Sequence, residues 1–146
     1  MSQLPIRAIQ WLARAGLCLA FVYSGISKSF DFPSAIAEQV HFGMSPPALF
    51  AAATIATQLG GSALMLLWRG PLAALGALAL AGFTLLATFI GHPFWHESGM
   101  ERFNDLNSFL EHFGLVGGFV LVALHELRGV IGPAAAGHPA ATLPGA

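Results

Sequence analysis

A few polar side chains interrupt long apolar runs in this sequence, and their types suit hydrogen bonding and proton transfer. The candidates for one polar pocket are Lys28, Gln58, His92, Glu111 and His112. An imidazole or an amide can hydrogen-bond a carbonyl or hydroxyl of a small ligand, and an ammonium adds three donors. Polar groups among apolar residues need partners. We therefore predict that these side chains converge on one site, and no catalytic role is assigned to any of them.

Metal binding is the alternative chemistry for the histidines in this set. His92 and His96 are four residues apart, but Pro93 breaks the helix that would place both rings on one face. Together with Glu111 and His112 they could be imagined around zinc or iron. No established ligand spacing is matched, however, and we predict no metal site.

Each candidate also has a purely structural explanation. Ser108 and Glu111 have the spacing of a helix capping box. Lys28 can extend its ammonium to the lipid headgroups while its stem stays apolar. Gln58 can hydrogen-bond a neighbouring helix, and His92 can close a helix because a proline follows it. Both explanations stay open for every residue of the set.

The composition indicates a membrane protein. Hydrophobic residues make up 55% of the 146 residues and charged residues only 9%, against about 25% in soluble domains. Lipid removes the need to cover the surface with charges. The net charge is −1 and no basic block is present, so no nucleic-acid partner is predicted. The single cysteine, Cys18, cannot form an internal disulfide and is expected to pack as a small apolar residue.

Four apolar segments match the length of about 20 residues that a helix needs to cross a bilayer. No charged residue or histidine lies between His41 and Arg69, or between Arg69 and His92. The first and last segments are shorter between charges, but Lys and Arg can reach the interface. The predicted fold class is an all-α membrane protein, an antiparallel bundle of four transmembrane helices. The spans are expected at about residues 6–27, 46–68, 71–92 and 107–127.

The basic residues predict the orientation of the bundle. Four spans put both termini on one side, which carries four basic residues, Arg7, Arg14, Arg69 and Arg128. The other side carries only Lys28 and Arg102. The positive-inside rule then places both termini in the cytoplasm, with the protein in a bacterial-type inner membrane. A cleaved signal peptide is the alternative for the first segment, but no clear A-x-A site follows it.

The domain organisation follows from the same segments. Residues 1–128 are expected to form a single four-helix membrane domain. Residues 129–146 are rich in Gly, Pro and Ala, and we predict a disordered cytoplasmic tail there.

Small residues spaced four apart give each span a face for close helix packing. These faces are Gly16, Ala20 and Ser24; Ala53, Thr57 and Gly61; Ala73, Ala77 and Ala81; and Gly114 with Gly118. One of them could instead pair two copies of the chain, so a homo-oligomer stays open. An antiparallel bundle brings Lys28, His92, Glu111 and His112 to one outer layer, with Gln58 beneath them.

Five segments, in this order, resemble the DoxX family of small four-helix membrane proteins. They read "RAGLCLAFVYSGISK", "GMSPPALFAAATIATQLGGSALML", "RGPLAAL", "GHPFW" and "FLEHFGLVGGFVL". The likeness runs from about Arg14 to Leu124. Two positions depart from the family pattern. Gln58 stands where a glutamate is common, and Glu111 with His112 stands where a Lys-Asn pair often opens the fourth span.

The resemblance implies a link to membrane redox complexes, because the family takes its name from a subunit of a thiosulfate:quinone oxidoreductase. The implied function is an accessory or subunit of a quinone-linked redox system, with quinone as the candidate cofactor. The sequence has no haem, flavin or iron–sulfur motif, so an electron carrier would come from a redox protein partner or from the lipid bilayer. A non-enzymatic membrane scaffold or assembly partner and, third, a small-molecule carrier are the alternatives. Whether the protein is an enzyme, and for which substrate, stays open.

Overall fold

The chain is folded almost entirely into helices. The computed structural model describes residues 3–131, with side chains for residues 5–128, and shows no strand in that part. The helices are α1 (Gln3–Phe30), α2 (Phe32–His41), α3 (Pro47–Leu67), α4 (Pro71–Gly91) and α5 (Gly99–Ile131). All except α2 are long and apolar enough to cross a membrane. The prediction of an all-α integral membrane protein with four membrane-spanning helices is confirmed.

Two of the helices extend well beyond the predicted spans. α1 runs over 3–30 instead of 6–27, and α5 begins at residue 99 instead of 107. The predicted spans have only the length that is needed to cross the hydrocarbon, but a helix can continue past it wherever water solvates its side chains. α5 also continues to Ile131, so it covers the first residues of the predicted tail. Residues 132–146 lie outside the described part of the chain.

Helix α2 lies between the first two spans and was not expected there. Its N-cap is Asp31, whose carboxylate accepts hydrogen bonds from the Ser34 amide (3.1 Å) and the Ser34 hydroxyl (2.7 Å). These two bonds lower the pKa of Asp31. Pro33 in the first turn lacks only an amide hydrogen that would have no helical partner. This ten-residue helix packs on α3 at one end of the bundle.

The bundle has two ends, which we name by the chain. The terminal side holds the start of α1 and the end of α5, and the distal side holds α2 and the connection between α4 and α5. Around the bundle α1 packs on α3, α3 on α4 and α4 on α5, while α1 meets α5 through a smaller interface. Near the terminal side, the buried core is built around Cys18, Met65, Leu80 and Phe119.

Helices α3 and α4 approach each other closely at two glycines, Gly61 and Gly76. A Cβ atom built on Gly76 would lie 2.5 Å from the carbonyl oxygen of Gly61 and 2.9 Å from the amide nitrogen of Met65. Both neighbours are backbone atoms, which cannot move aside as a flexible side chain can. Only a residue without a Cβ allows this contact.

The packing face of α1 differs from the predicted one. Gly16 and Ala20 are exposed, whereas Arg14, Cys18 and Phe21 are buried. The ring of Phe21 meets that of Phe119 edge-on, at 5.4 Å between centroids. The larger side chains of α1 therefore form its buried face, and Gly16 and Ala20 are not part of that face.

Candidate functional site

A cavity of about 510 Å³ occupies the distal half of the bundle, and all five helices contribute to its lining. Four of the five candidate residues line it: Lys28, Gln58, His92 and His112. They come from α1, from α3, from the residue after α4, and from α5.

Glu111 is the candidate that lies outside this lining. Its side chain is exposed, because successive residues of a helix point about 100° apart and the next residue, His112, faces the cavity. The structure also contradicts the explanation that Ser108 and Glu111 cap a helix. α5 begins at Gly99, so Ser108 and Glu111 lie inside the helix, where the backbone amides already have partners.

His112 is oriented by Thr88 of α4. Its Nδ1 lies 3.1 Å from the hydroxyl of Thr88, and that hydroxyl donates to the carbonyl of Thr84 at 2.6 Å. Thr84 in turn donates to the carbonyl of Leu80 at 2.7 Å. The threonines therefore bond their own i−4 carbonyls, as their sequence spacing allows, and Thr88 also orients the imidazole.

His92 is oriented from α5. Its Nδ1 lies 3.2 Å from the Asp105 carboxylate, and both side chains are partly buried. The rings of His92 and His112 are 5.0 Å apart between centroids, with an angle of 62° between their planes. The extension of α5 toward the distal side, beyond the predicted span, is what brings Asp105 to this position.

Lys28 closes α1 with a double contact. Its ammonium lies 2.7 Å from the carboxylate of Glu38 on α2 and 3.3 Å from the hydroxyl of Ser24. Glu38 and its neighbour Gln39 also line the cavity. The lysine therefore connects α1 to α2, and α2 forms the distal wall of the cavity.

Gln58 is a polar residue buried in the apolar interior, with only 6% of its surface exposed. Its Oε1 has no hydrogen-bond partner among the residues that the structure describes, and the same is true of the Ser62 hydroxyl one turn away. A buried acceptor without a partner costs about 1–3 kcal/mol. Such a group next to a cavity is a candidate contact for a bound molecule.

The remaining walls are apolar and border the lipid. Phe21, Phe83 and Leu115 line the interior. Four further lining residues are also exposed on the outer surface of α3 and α4: Phe50, Ala53, Leu86 and Ile90. At this depth an exposed surface faces lipid, so the cavity borders the bilayer between α3 and α4.

A second, polar cavity of about 440 Å³ adjoins the first on the distal side. His41, Glu97 and Asp105 line it, and Phe42 and Ile90 border both cavities. Within residues 3–131 no cluster of three or more His, Cys, Asp or Glu side chains is arranged to hold a metal ion. Hydrogen bonding is the chemistry that this end of the bundle offers.

A buried ion pair on the terminal side was missed at the sequence level. Arg14 of α1 pairs with Glu126 of α5 and also donates to the carbonyl of Met65 at 3.4 Å. The second carboxylate oxygen of Glu126 accepts from the amide of Gly70, and the Arg69 guanidinium lies 3.9 Å from the first oxygen, the one that Arg14 contacts. One signal was present in the sequence. Each of these two charges interrupts an apolar span, and antiparallel packing places both on the same side.

The chain was compared with protein-family models, with curated proteins and with solved structures. A family model described as DoxX matches residues 9–93, while no curated protein and no solved structure matches the chain significantly. The matched segment contains Lys28, Gln58 and His92. His112 and the rest of α5 lie beyond it.

Proposed function

Because the chain belongs to the DoxX family, we propose that it serves a quinone-linked redox system of a bacterial-type inner membrane as a small accessory or subunit. Its contribution in this proposal is a binding site for a quinone-type ring. The observation that carries the proposal is the distal cavity, which has hydrogen-bonding groups at one end and an apolar border with the bilayer.

The size and lining of the cavity fit such a molecule. Ligand sites usually measure about 300–1,000 Å³ and combine apolar walls with a few polar groups. Gln58, His92 and His112 line the cavity and can take part in hydrogen bonds with the oxygens of such a ring. A hydrophobic tail can pass between Phe50 and Leu86 into the lipid.

The charge of the cavity favours an uncharged headgroup. Among the described residues that line the cavity, Lys28 is the one Lys or Arg side chain, and it is already paired with Glu38. An anionic lipid headgroup would find no free cation among the described lining residues. A neutral ring with two oxygens and an apolar tail matches these conditions.

A binding experiment tests the proposal directly. The purified protein is placed in lipid nanodiscs, and a decyl-substituted benzoquinone is titrated, with empty nanodiscs correcting for partition into lipid. Gln58→Leu should weaken binding about tenfold, the effect of one lost hydrogen bond in an apolar site. Gln10→Leu makes the same change on α1 outside the cavity lining and should bind normally. Equal affinities of the two variants would show that the ligand does not bind at Gln58 and would contradict the proposed site.

The link to a redox system is tested in cells. Deletion of the protein should lower quinone-linked electron transfer in isolated membranes, and the wild-type chain should restore it. If the Gln58→Leu variant restores the wild-type rate of electron transfer, the cavity is not required for that activity.

The cytoplasmic position of both ends is part of the same proposal. Arg14 is buried against Glu126, so the exposed basic residues of the terminal side within the described chain are Arg7, Arg69 and Arg128. These three arginines still outnumber the unpaired basic residues of the distal side, because Lys28 is paired with Glu38 there. A C-terminal green fluorescent protein should fluoresce, and a C-terminal alkaline phosphatase should stay inactive. The reverse pattern would invert the topology.

A second candidate function, an assembly partner without chemistry of its own, has one observation in its favour. The 33 residues of α5 span about 50 Å, longer than the roughly 30 Å hydrocarbon core. Its distal end exposes Met100 and Phe103. A photoreactive residue at position 100 should then crosslink to a protein reproducibly, whereas one at Leu124, exposed within the membrane-spanning part, should label lipid.

A further inference from the structure

We infer that the distal cavity binds the dihydroxy form of its ring ligand, a quinol, more tightly than the quinone form. The inference rests on the proposed function and adds the redox state of the ligand. It comes from the positions of the imidazole hydrogens, which can be counted from the hydrogen bonds around His92 and His112.

The hydrogen of His112 is assigned by its threonine partner. The hydroxyl of Thr88 has a single hydrogen, and it is donated to the carbonyl of Thr84 at 2.6 Å. The contact of 3.1 Å between this hydroxyl oxygen and Nδ1 of His112 therefore needs a hydrogen from the imidazole. In the neutral ring Nδ1 carries the hydrogen, and Nε2 is left with a lone pair.

His92 reaches the same state through a carboxylate. An ionised Asp105 can only accept, so the Nδ1 of His92, 3.2 Å away, donates to it. The Nε2 of the neutral ring is again an acceptor. Among residues 5–128 no side chain or backbone group hydrogen-bonds either Nε2.

The two histidines therefore offer a pair of acceptors at one end of the cavity, with their rings 5.0 Å apart between centroids. A hydroxyl can donate to such a nitrogen, whereas a quinone carbonyl presents a second lone pair to it. The other ionisable groups at this end are Lys28, Glu38 and Asp105. Lys28 already donates to Glu38 and to Ser24, so only its third hydrogen is left for a carbonyl.

Gln58 does not decide between the two forms. Its amide carries both an acceptor and donors, although its Oε1 lacks a partner within the described chain. The preference is therefore assigned to the imidazoles alone. One additional hydrogen bond between the site and its ligand corresponds to an affinity about tenfold higher.

The test compares three ligands with the same decyl chain. They are a benzoquinone, its hydroquinone kept under argon, and the dimethyl ether of the hydroquinone, which has no O–H group. Competition binding is measured in nanodiscs at pH 8. The hydroquinone should bind about tenfold more tightly than either of the other two.

Two variants test whether the imidazoles cause the preference. Thr88→Val keeps the shape of a fully buried side chain but removes the hydroxyl that accepts from His112. Asp105→Asn can donate its amide hydrogen to His92 and so move the imidazole hydrogen to Nε2. Each should reduce the ratio of the two affinities at least about threefold. Glu101→Gln removes a charge one turn from Asp105, on an exposed side chain, and should leave the ratio unchanged.

The outcomes separate the two proposals. Equal or tighter binding of the quinone by the wild-type protein would overturn the inference and leave the site in place. An unchanged ratio in both Thr88→Val and Asp105→Asn would also overturn it, because the histidine hydrogens would then not matter. Binding of none of the three ligands would overturn the proposed function together with the inference.

Discussion

The ion pair of Arg14 and Glu126 ties the terminal side of the bundle together. Glu126 receives hydrogen bonds from Arg14 and from the backbone amide of Gly70, so a single carboxylate connects α1, the turn before α4, and α5. Burying two charges is costly, and the pair is stable only while both partners are present. Loss of one partner leaves the other charge buried and uncompensated.

We therefore predict a strongly non-additive pair of substitutions. Arg14→Leu and Glu126→Leu should each destabilise the folded protein by about 3–5 kcal/mol. The double substitution should cost less than either alone, since no unpaired charge remains. The measurement is the midpoint of unfolding in detergent. Arg7→Leu, at an exposed position of the same helix, is the control and should have little effect.

Additive losses would contradict this prediction. They would mean that the two side chains stabilise the fold through independent contacts and not through each other.

Single residues were also where sequence reasoning was least complete. The polar character of Lys28, Gln58, His92 and His112 could be recognised, because each interrupts an apolar run. Their partners could not, since Thr88 and Asp105 reach the histidines only through the relative rotation of α4 and α5. The same rotation turns Glu111 outward.

At the level of helices, the contact between α3 and α4 sets the shape of the cavity. The two backbones touch at Gly61 and Gly76, toward the terminal side. In the distal half, larger residues such as Phe50 and Ile90 stand on the same two helices and line the cavity. Helices α3 and α4 are therefore in close contact toward the terminal side, and the cavity lies in the distal half.

Gly76→Ala should disrupt this contact. The added methyl would meet the backbone of Gly61 and Met65 at 2.5 and 2.9 Å, so the helices must separate, at a cost of about 1–3 kcal/mol. Gly82→Ala on the same helix meets nothing within 4 Å and should be neutral or slightly stabilising, because alanine favours helix. Thermal unfolding of both variants in detergent measures the difference. Equal stability of the two would show that the contact is not required.

Helix α2 provides a prediction that depends on pH. The pKa of Asp31 is lowered in the folded protein by the two hydrogen bonds from Ser34. A lowered pKa means that the cap stabilises α2 above the unfolded value of about 3.9, and that this stabilisation is lost as the pH falls through the lower folded value. Asp31→Ala should therefore speed hydrogen exchange of the first α2 amides at neutral pH.

Asp31→Asn is the matched control, because asparagine is also a good N-cap but does not titrate. It should keep the amides protected at neutral pH and remove their acid sensitivity. Acid sensitivity that persists in this variant would assign the effect to another group.

The elements themselves were partly accessible from sequence. The prolines that open α3 and α4, and the long apolar runs, located these two helices within one residue of their observed bounds at each end. α2 and the first turns of α5 were missed, because short polar helices at a membrane surface have no hydrophobic signal of spanning length.

At the scale of the whole molecule, a chain with few charges forms a four-span bundle that is closed at one end and hollow at the other. The terminal half holds the ion pair and the buried core. The distal half holds the cavity, whose polar end faces α2 and whose apolar side borders lipid. The composition predicted a membrane protein, and the apolar segments predicted the number of spans. The cavity depends on how far apart the helices stand, which apolar patterns do not encode.

Photolabelling tests directly whether a quinone-type ring occupies this cavity. A decylbenzoquinone carrying an azide on its ring is irradiated with the protein in nanodiscs, and labelled peptides are located by mass spectrometry. Labels are expected on residues 50–58 and 83–92, which line the cavity from α3 and α4, and excess unlabelled ligand should suppress them. Labels spread over the outer surfaces of α1 and α5, and unaffected by that competitor, would contradict it.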